Sequence, residues 1–240
     1  MLALLHPIKN EGLKEICAGR LEALILSGQM PVGQKLPPER ELARQLGVSR
    51  PIVHEALVDL AGKGLVTLVP RVGAVINDFR KQGSIALLTS LLKYHQGDLA
   101  PKLLEGLLAM RVLFELETAR LAAIHRSDGH NQELREVIAA EERADPTDIE
   151  RLTALDFDFH HLVAMASGNQ TYPLLINSFK PVYTNLSGQF FKDSTVVPTV
   201  IGFHRDLADA IKKQNEQLAV AVMRCLLAHG EEHLHGESAG

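Results

Sequence analysis

Asp156 and His160 stand four residues apart in LTALDFDFHHLVAMA, a stretch with helical periodicity, so their side chains share one helix face. His204 follows on a later helical segment and can converge on them across a bundle core. One carboxylate with two imidazoles suits zinc, nickel or a similar divalent ion. The same three residues also suit a plain hydrogen-bonded Asp–His pair inside a core. His161 is expected to face solvent or a neighbouring helix. No nucleophile or general-base motif accompanies the cluster, so an enzyme is not expected. Arg111 precedes Leu113 and Phe114 on an apolar helix. A lone arginine there is either a surface side chain laid along apolar neighbours or a buried clamp for an anion. Glu115, four residues on, can instead neutralise it within the helix.

These residues lie in a half of the chain that reads as helix throughout. From Phe79 the pattern gives a helix around Ile85 to Leu92 that ends at Gln96-Gly97, then Lys102 to His125 after Pro101. A loop is expected over 126–131, followed by helices at Glu133–Arg143, Ile149–Ala166, Tyr172–Phe191, Val197–Lys213 and Glu216–His233. Asn169 and Tyr172 read as capping and packing residues or as pocket lining. The tail HGESAG is expected to fray.

The first 78 residues are built differently. In LPPERELARQLGVSRPIVHEALVDL, residues 36–60, Pro37-Pro38 opens a short helix and Gly47 closes it. Ser49 is placed as the N-cap of a second helix with Pro51 in its first turn, and Val53, Ala56, Leu57 and Leu60 form its buried face. Arg50 and His54 lie on the opposite face near its N-terminal end, where a recognition helix meets base edges. A helix over 11–27 precedes the pair. Two β-rich runs, Leu65–Val69 and Ala74–Ile76, follow around a turn holding Pro70, Arg71 and Gly73. Three helices closed by a hairpin make a winged helix-turn-helix, with Arg71 to Gly73 at the wing tip near phosphates or the minor groove. Lys35, Arg40, Arg44, Arg50, Lys63 and Arg71 can form its basic face. The overall fold class is mainly α: this winged head over 1–78, then an all-helical bundle over 79–240.

Composition agrees with that division. The chain has 240 residues, 46% of them apolar and 5% aromatic, with no tryptophan and a net charge of -4. Residues 1–79 hold nine Lys/Arg against eight Asp/Glu, a net of +1, and the remainder carries -5. Cys17 and Cys225 sit among apolar neighbours and read as core residues of a reducing compartment, not as a disulfide. No apolar run approaches the roughly 20 residues of a membrane span. The opening MLALLHP lacks the basic segment and length of a secretion signal, so a cytoplasmic protein is expected, with no membrane partner.

LPPERELARQLGVSRPIVHEAL followed by GLVTLVPRVGAVI resembles the N-terminal domain of the GntR family of bacterial transcription regulators, over about Ile8 to Asn77. The resemblance implies a homodimer on double-stranded operator DNA. It implies contacts from Arg40 at the end of PPER and from Ser49 and Arg50 at the start of the recognition helix. His54 departs from the family, which most often has arginine there. MRVLFELETARLAA, LDFDFHHLVAMASGN and GFHRDLADAI are similar to the helical effector domain of the FadR-like subgroup, the FCD domain. That likeness implies a small-molecule effector, either a carboxylate metabolite held with one divalent metal or, without metal, a fatty acid or acyl-CoA. It places Arg111 beside the anionic effector, with Asn169 as a further candidate. It assigns Asp156, His160 and His204 to three of four metal-ligand positions. The fourth falls at Leu226, which cannot ligate, and His229 one turn further on is the available substitute. INDFRKQGSIALLTSLLKY and the spacing of SGNQTYPLLINSFKPVYT lean towards the metal-free members. The regulator is expected to act as a repressor. An architectural DNA binder that senses nothing, and a metalloenzyme built on the Asp/His cluster, are the competing readings.

Overall fold

The computed structural model describes residues 12–236, which fall into two compact units that divide at Asp98/Leu99. The expectations for MLALLHP, for residue 11 and for the last four residues lie outside the described part.

The first unit starts with α1 (Leu13–Leu26), which buries Cys17, Ala18, Leu21 and Ile25. α2 (Glu39–Leu46) begins directly after Pro38, and Gly47 ends it in the left-handed conformation, φ 68°, with its N–H donated to Ala43. α3 (Arg50–Gly62) carries Val53, Ala56, Leu57 and Leu60 inward against α1 and α2. Ser49 occupies the N-cap position in extended conformation, but its side chain makes no capping bond. β1 (Val66–Val69) and β2 (Gly73–Ile76) pair antiparallel, Val66 opposite Ile76 and Val69 opposite Gly73. Arg71 and Gly73 take positive φ in the turn, 62° and 112°. Asn77 ties the hairpin down: its Nδ2 donates to the Gly64 carbonyl (3.1 Å) and its Oδ1 accepts from Thr67 Oγ1 (2.9 Å).

The helix expected over Ile85 to Leu92 is present, starting at Leu87, and a short helix that the pattern did not separate precedes it. α4 (Phe79–Gln82) is capped by Asp78, whose carboxylate accepts from Arg80 N, and Gly83 leaves it extended. α5 (Leu87–Tyr94) follows and sends Leu87 into the winged-head core. Both helices therefore belong by contact to the unit that ends at Asp98, well past the end of the hairpin at Ile76.

The second unit is helical throughout. α6 (Pro101–His125) packs on α8 (Ile149–Ala166) and α11 (Glu216–Gly236), α8 packs on α7 (Asp128–Glu141) and α9 (Thr171–Phe190), and α10 (Val197–Lys212) packs on α7, α6 and α11. Its core includes the fully buried Phe159, Leu134, Leu207, Ile211 and Met223. The loop expected at 126–131 is mostly helix. Ser127 Oγ accepts from His130 N (3.1 Å) and His130 Nδ1 accepts from Ser127 N (3.2 Å), a reciprocal cap in which histidine takes the place usually held by Glu or Gln. Cys17 is buried as expected, whereas Cys225 is exposed on α11, so only one of the two is a core residue. Among the described residues no helix is long and apolar enough to cross a membrane.

Candidate functional site

The short α2 and the proline-started α3 bring one carboxylate beside the outer face of α3. Glu39, the first residue of α2, accepts from Arg50 Nε at 2.8 Å on one oxygen and meets His54 Nδ1 at 2.8 Å on the other. The bond to His54, then that to Arg50, holds the Glu39 carboxyl below its ordinary range. Arg50 and His54 remain 72% and 57% exposed in their side chains, so both stay open to a partner. Arg40, Arg44, Ser49 and Arg71 are exposed as well. Lys35 is exposed and bridges to Val75 in β2, and a Cβ added at Gly73 would stand 3.6 Å from Lys35 Cε. Lys35 thus lies along the wing. Lys63 does not join this basic face. It is paired with Glu22 (2.5 Å) and Asp59 (2.6 Å) and is largely covered, so its charge is spent inside the unit.

In the bundle, α8 turns Asp156 and His160 inward and α10 brings in His204. All three are buried, and one ligand atom from each lies within 4.8 Å of the others. Glu115 of α6 pairs with His160 Nδ1, and Glu141 of α7 pairs with His204 Nδ1 (2.9 and 3.0 Å). His204 is further fixed by stacking on Phe159, ring centroids 3.8 Å apart. Each histidine is therefore held by one nitrogen while its Nε2, buried and without a hydrogen-bond partner, faces Asp156 Oδ1 at 3.9 Å (His160) and 3.7 Å (His204). Those separations are too long for hydrogen bonds, and a small inward movement of the three side chains would bring their free atoms onto one ion. Carboxylates behind metal-binding histidines set their tautomer and orientation in just this way. The other Asp156 oxygen accepts from Tyr183 Oη (2.7 Å) and Ser187 Oγ (3.0 Å) of α9.

Arg111 joins the same network through Glu115 and Tyr183. Its Nε donates to Glu115 (2.5 Å), its Nη2 to Tyr183 Oη (3.1 Å), and its guanidinium lies 4.6 Å from the Tyr183 ring centre. Burial alone would raise the Glu115 carboxyl, but the charge of Arg111 and then the contact with His160 overcome it and bring it to about 2. Burial, and next the Asp156 charge, push the Tyr183 phenol well above its usual range, so it keeps its hydrogen and donates it. Two cavities meet at Arg111. One is apolar and opens between α6 and α9, lined by Leu107, Met110, Phe114, Ile176 and Phe179 among others. The second is lined by Asp156, His160, Ser187 and Leu226.

Asn169 lines neither. It is exposed after α8, and its Oδ1 accepts from Thr171 N at the start of α9, so it is a turn residue and not a pocket residue. Nor does His229 replace a fourth ligand. It stands against Phe190, Phe203 and His233, outside the Asp156 cluster, while Leu226 occupies the cavity wall. His161 is half-buried and stacks on Phe157. Glu39, Glu141, Tyr183 and Ser187 were not singled out from sequence. An i, i+4 spacing of Tyr183 and Ser187 on one helix was the available signal for the last two.

The two halves match two family models: "Bacterial regulatory proteins, gntR family" over residues 13–76, and "FadR C-terminal domain" over residues 77–233, about two thirds of the chain. The chain belongs to the GntR family of regulators, with a FadR-type C-terminal domain. As in that family it is a DNA-binding transcription regulator and not an enzyme. The GntR regulator is 29% identical over 208 residues to the "Fatty acid metabolism regulator protein" of Yersinia pestis (strain Pestoides F), covering 87% of this chain and 83% of that one. The same identity and coverage hold for the protein of that name from Yersinia pseudotuberculosis serotype O:3 (strain YPIII). Among solved structures, the Listeria monocytogenes regulator Lar superposes with a TM-score of 0.66 at 18% identity, over 95% of this chain and 99% of that one. E. coli McbR/YncC superposes at 0.57 and 16%, over 95% and 100%. These two establish a shared fold. In this GntR regulator the exposed Arg50–Glu39–His54 group and the buried Asp156 cluster lie in separate compact units, one for each of the two matched domains.

Proposed function

We propose that this GntR regulator is a homodimeric, cytoplasmic repressor whose helical domain binds a small carboxylate metabolite together with one divalent metal. Lys35, Arg40, Arg44, Ser49, Arg50, His54, Arg71 and Gly73 are its operator-facing residues. Asp156, His160 and His204 would hold the ion, zinc or nickel. The observation that carries the reading is the pair of buried, partnerless Nε2 atoms aimed at one Asp156 oxygen, each with a carboxylate behind it. Formal charge favours the same conclusion: Asp156, Glu115 and Glu141 against Arg111 leave two negative charges around neutral imidazoles, which a divalent cation cancels.

Asp156, His160 and His204 supply three ligands, so an ion held there would have room for an effector carboxylate and would supply a Lewis-acid contact to it. Glu115 and Glu141 keep both imidazoles in the ligating tautomer. Arg111 stands where the two cavities meet and offers the anion a charged donor once it is drawn from Glu115 or Tyr183. Effector binding would then bias operator affinity, and the operator would bias effector affinity equally.

The apolar cleft at Arg111 favours a second reading, a metal-free sensor of a fatty acid or acyl-CoA whose chain lies between α6 and α9. Native mass spectrometry and metal analysis of chelator-free protein separate the two. One divalent ion per chain, lost in Asp156→Ala, is the expected result, and a metal-free protein carrying lipid supports the other. Gel shifts on the protein's own upstream DNA at moderate salt test the operator role: no selective binding there would reject it.

A further inference from the structure

The winged head carries a hydrogen-bond arrangement that sets what its recognition helix can read. We propose that Glu39 fixes His54 as a hydrogen-bond acceptor towards the operator, so that this regulator selects a base bearing an amino group, cytosine or adenine, at the step facing His54.

Glu39 lies at the start of α2 and is one-quarter exposed, and it spends one oxygen on Arg50 Nε and the other on His54 Nδ1, each at 2.8 Å. An ionised carboxylate only accepts, so the hydrogen of this contact sits on Nδ1. In a neutral imidazole the other nitrogen then bears a lone pair, and Nε2 is an acceptor. Arg50 is held in a complementary way. Its Nε is engaged, and its two terminal nitrogens have no hydrogen-bond partner among the described residues. These are the nitrogens that make a bidentate contact with guanine O6 and N7. Arg50 and His54 are four residues apart on the exposed face of α3, so they stand one turn apart along a helix laid in the major groove.

The major groove decides what an acceptor there can find. Only cytosine N4 and adenine N6 offer a donor, whereas guanine presents two acceptors and thymine one acceptor beside a methyl group. A lone pair on Nε2 is thus matched by cytosine or adenine and opposed by guanine. An arginine at position 54 would donate only, and would choose the reverse. Glu39 acts through His54 and need not touch DNA, so it is a positioning residue for base selection.

Selection of duplexes from a randomised library at pH 8, with sequencing of the bound fraction, tests this on the full-length protein. The wild type is expected to enrich cytosine or adenine over guanine at one position of each half-site, roughly 5- to 100-fold. The enriched base itself says which of the two is read. His54→Ala should flatten that position alone, His54→Arg should turn it to guanine, and Glu39→Ala should flatten it although His54 is still present. Long-range proton–nitrogen spectra of the wild type bound to its selected duplex should show His54 protonated on Nδ1 and bare on Nε2. Enrichment of guanine at the His54 position, no selection by the wild type, an unchanged preference in Glu39→Ala, or a proton on Nε2 in the complex would each overturn the proposal. Should Glu39→Ala bind no duplex at all, the nitrogen spectrum of the wild-type complex decides.

Discussion

Glu115 is hydrogen-bonded to His160 Nδ1 across 45 residues of sequence, and its other oxygen holds Arg111 Nε. One carboxylate therefore sits behind a candidate metal ligand and in front of a candidate anion clamp. Orienting carboxylates of this kind are worth about 10- to 100-fold in metal affinity. Glu115→Gln keeps the shape but gives up half of the acceptor capacity, and is expected to weaken zinc or nickel binding by about that factor. Competition against a chromophoric chelator measures it. Equal affinity in the mutant would mean that His160 needs no partner to face Asp156.

Leu226 supplies a second test. It lines the cavity that contains Asp156, His160 and Ser187. Leu226→His would offer a fourth ligand and is expected to tighten the ion by at least about tenfold, moving a cobalt-substituted protein towards a four-ligand spectrum. Loss of metal on this substitution would show that the ion, if present, does not lie on the Leu226 side of Asp156.

The extent to which this site was readable follows from how far apart its parts lie in the chain. Asp156 and His160 were legible because i, i+4 spacing on one helix puts both on one face regardless of tertiary structure. Gly47, Pro51 and the alternation around Arg71 fixed the winged head for the same local reason. Glu141 was not legible: in AAEERAD it looks like any solvated acidic run, and only the packing of α10 on α7 turns it onto His204. Glu115 was read as the i+4 partner of Arg111, which it is, but its second bond depends on where α8 crosses α6. Asn169 went the other way. A polar residue between two helices satisfies the local turn before it can serve a pocket, and its carboxamide is taken by Thr171. Lys63 likewise looked like operator-facing charge because Glu22, 41 residues earlier, could not be placed beside it from spacing alone.

Glu39 carries a pH-dependent share of the winged head's stability. Its folded carboxyl lies below the ordinary value of 4.5, first through the bond from His54 and then through that from Arg50. A depressed carboxyl stabilises the fold above its unfolded value and loses that contribution as pH falls through the folded value. Wild type is therefore expected to be more stable than Glu39→Gln from about pH 5 upward, by less than about 1 kcal/mol because both partners are exposed, and the gap should close on acidification. Thermal melts of the two proteins across pH 3 to 6 check this. A gap that widens towards pH 3 would contradict the assignment of Glu39 as the ionised partner.

Gly64 leaves no room for a side chain in the winged head. It follows α3 with φ 77°, a conformation that L side chains take at a cost of about 1–2 kcal/mol. A Cβ built there would stand 2.0 Å from the Gln82 carbonyl oxygen and 2.9 Å from Gly83 Cα, both backbone atoms that cannot swing away as a side-chain tip would. Its carbonyl also receives Asn77 Nδ2, which anchors the far end of the hairpin, so relief of the clash by moving Gly64 would loosen β2 as well. Strain, overlap and the shared hydrogen bond act together, and Gly64→Ala is expected to destabilise the head by roughly 3 kcal/mol or more. In a domain of this size that lowers the melting temperature on the order of 10 °C or more and reduces DNA binding in proportion to the unfolded fraction. A calorimetric scan within a few degrees of wild type would show that Gly64 and Gln82 do not approach as closely as their backbones are placed.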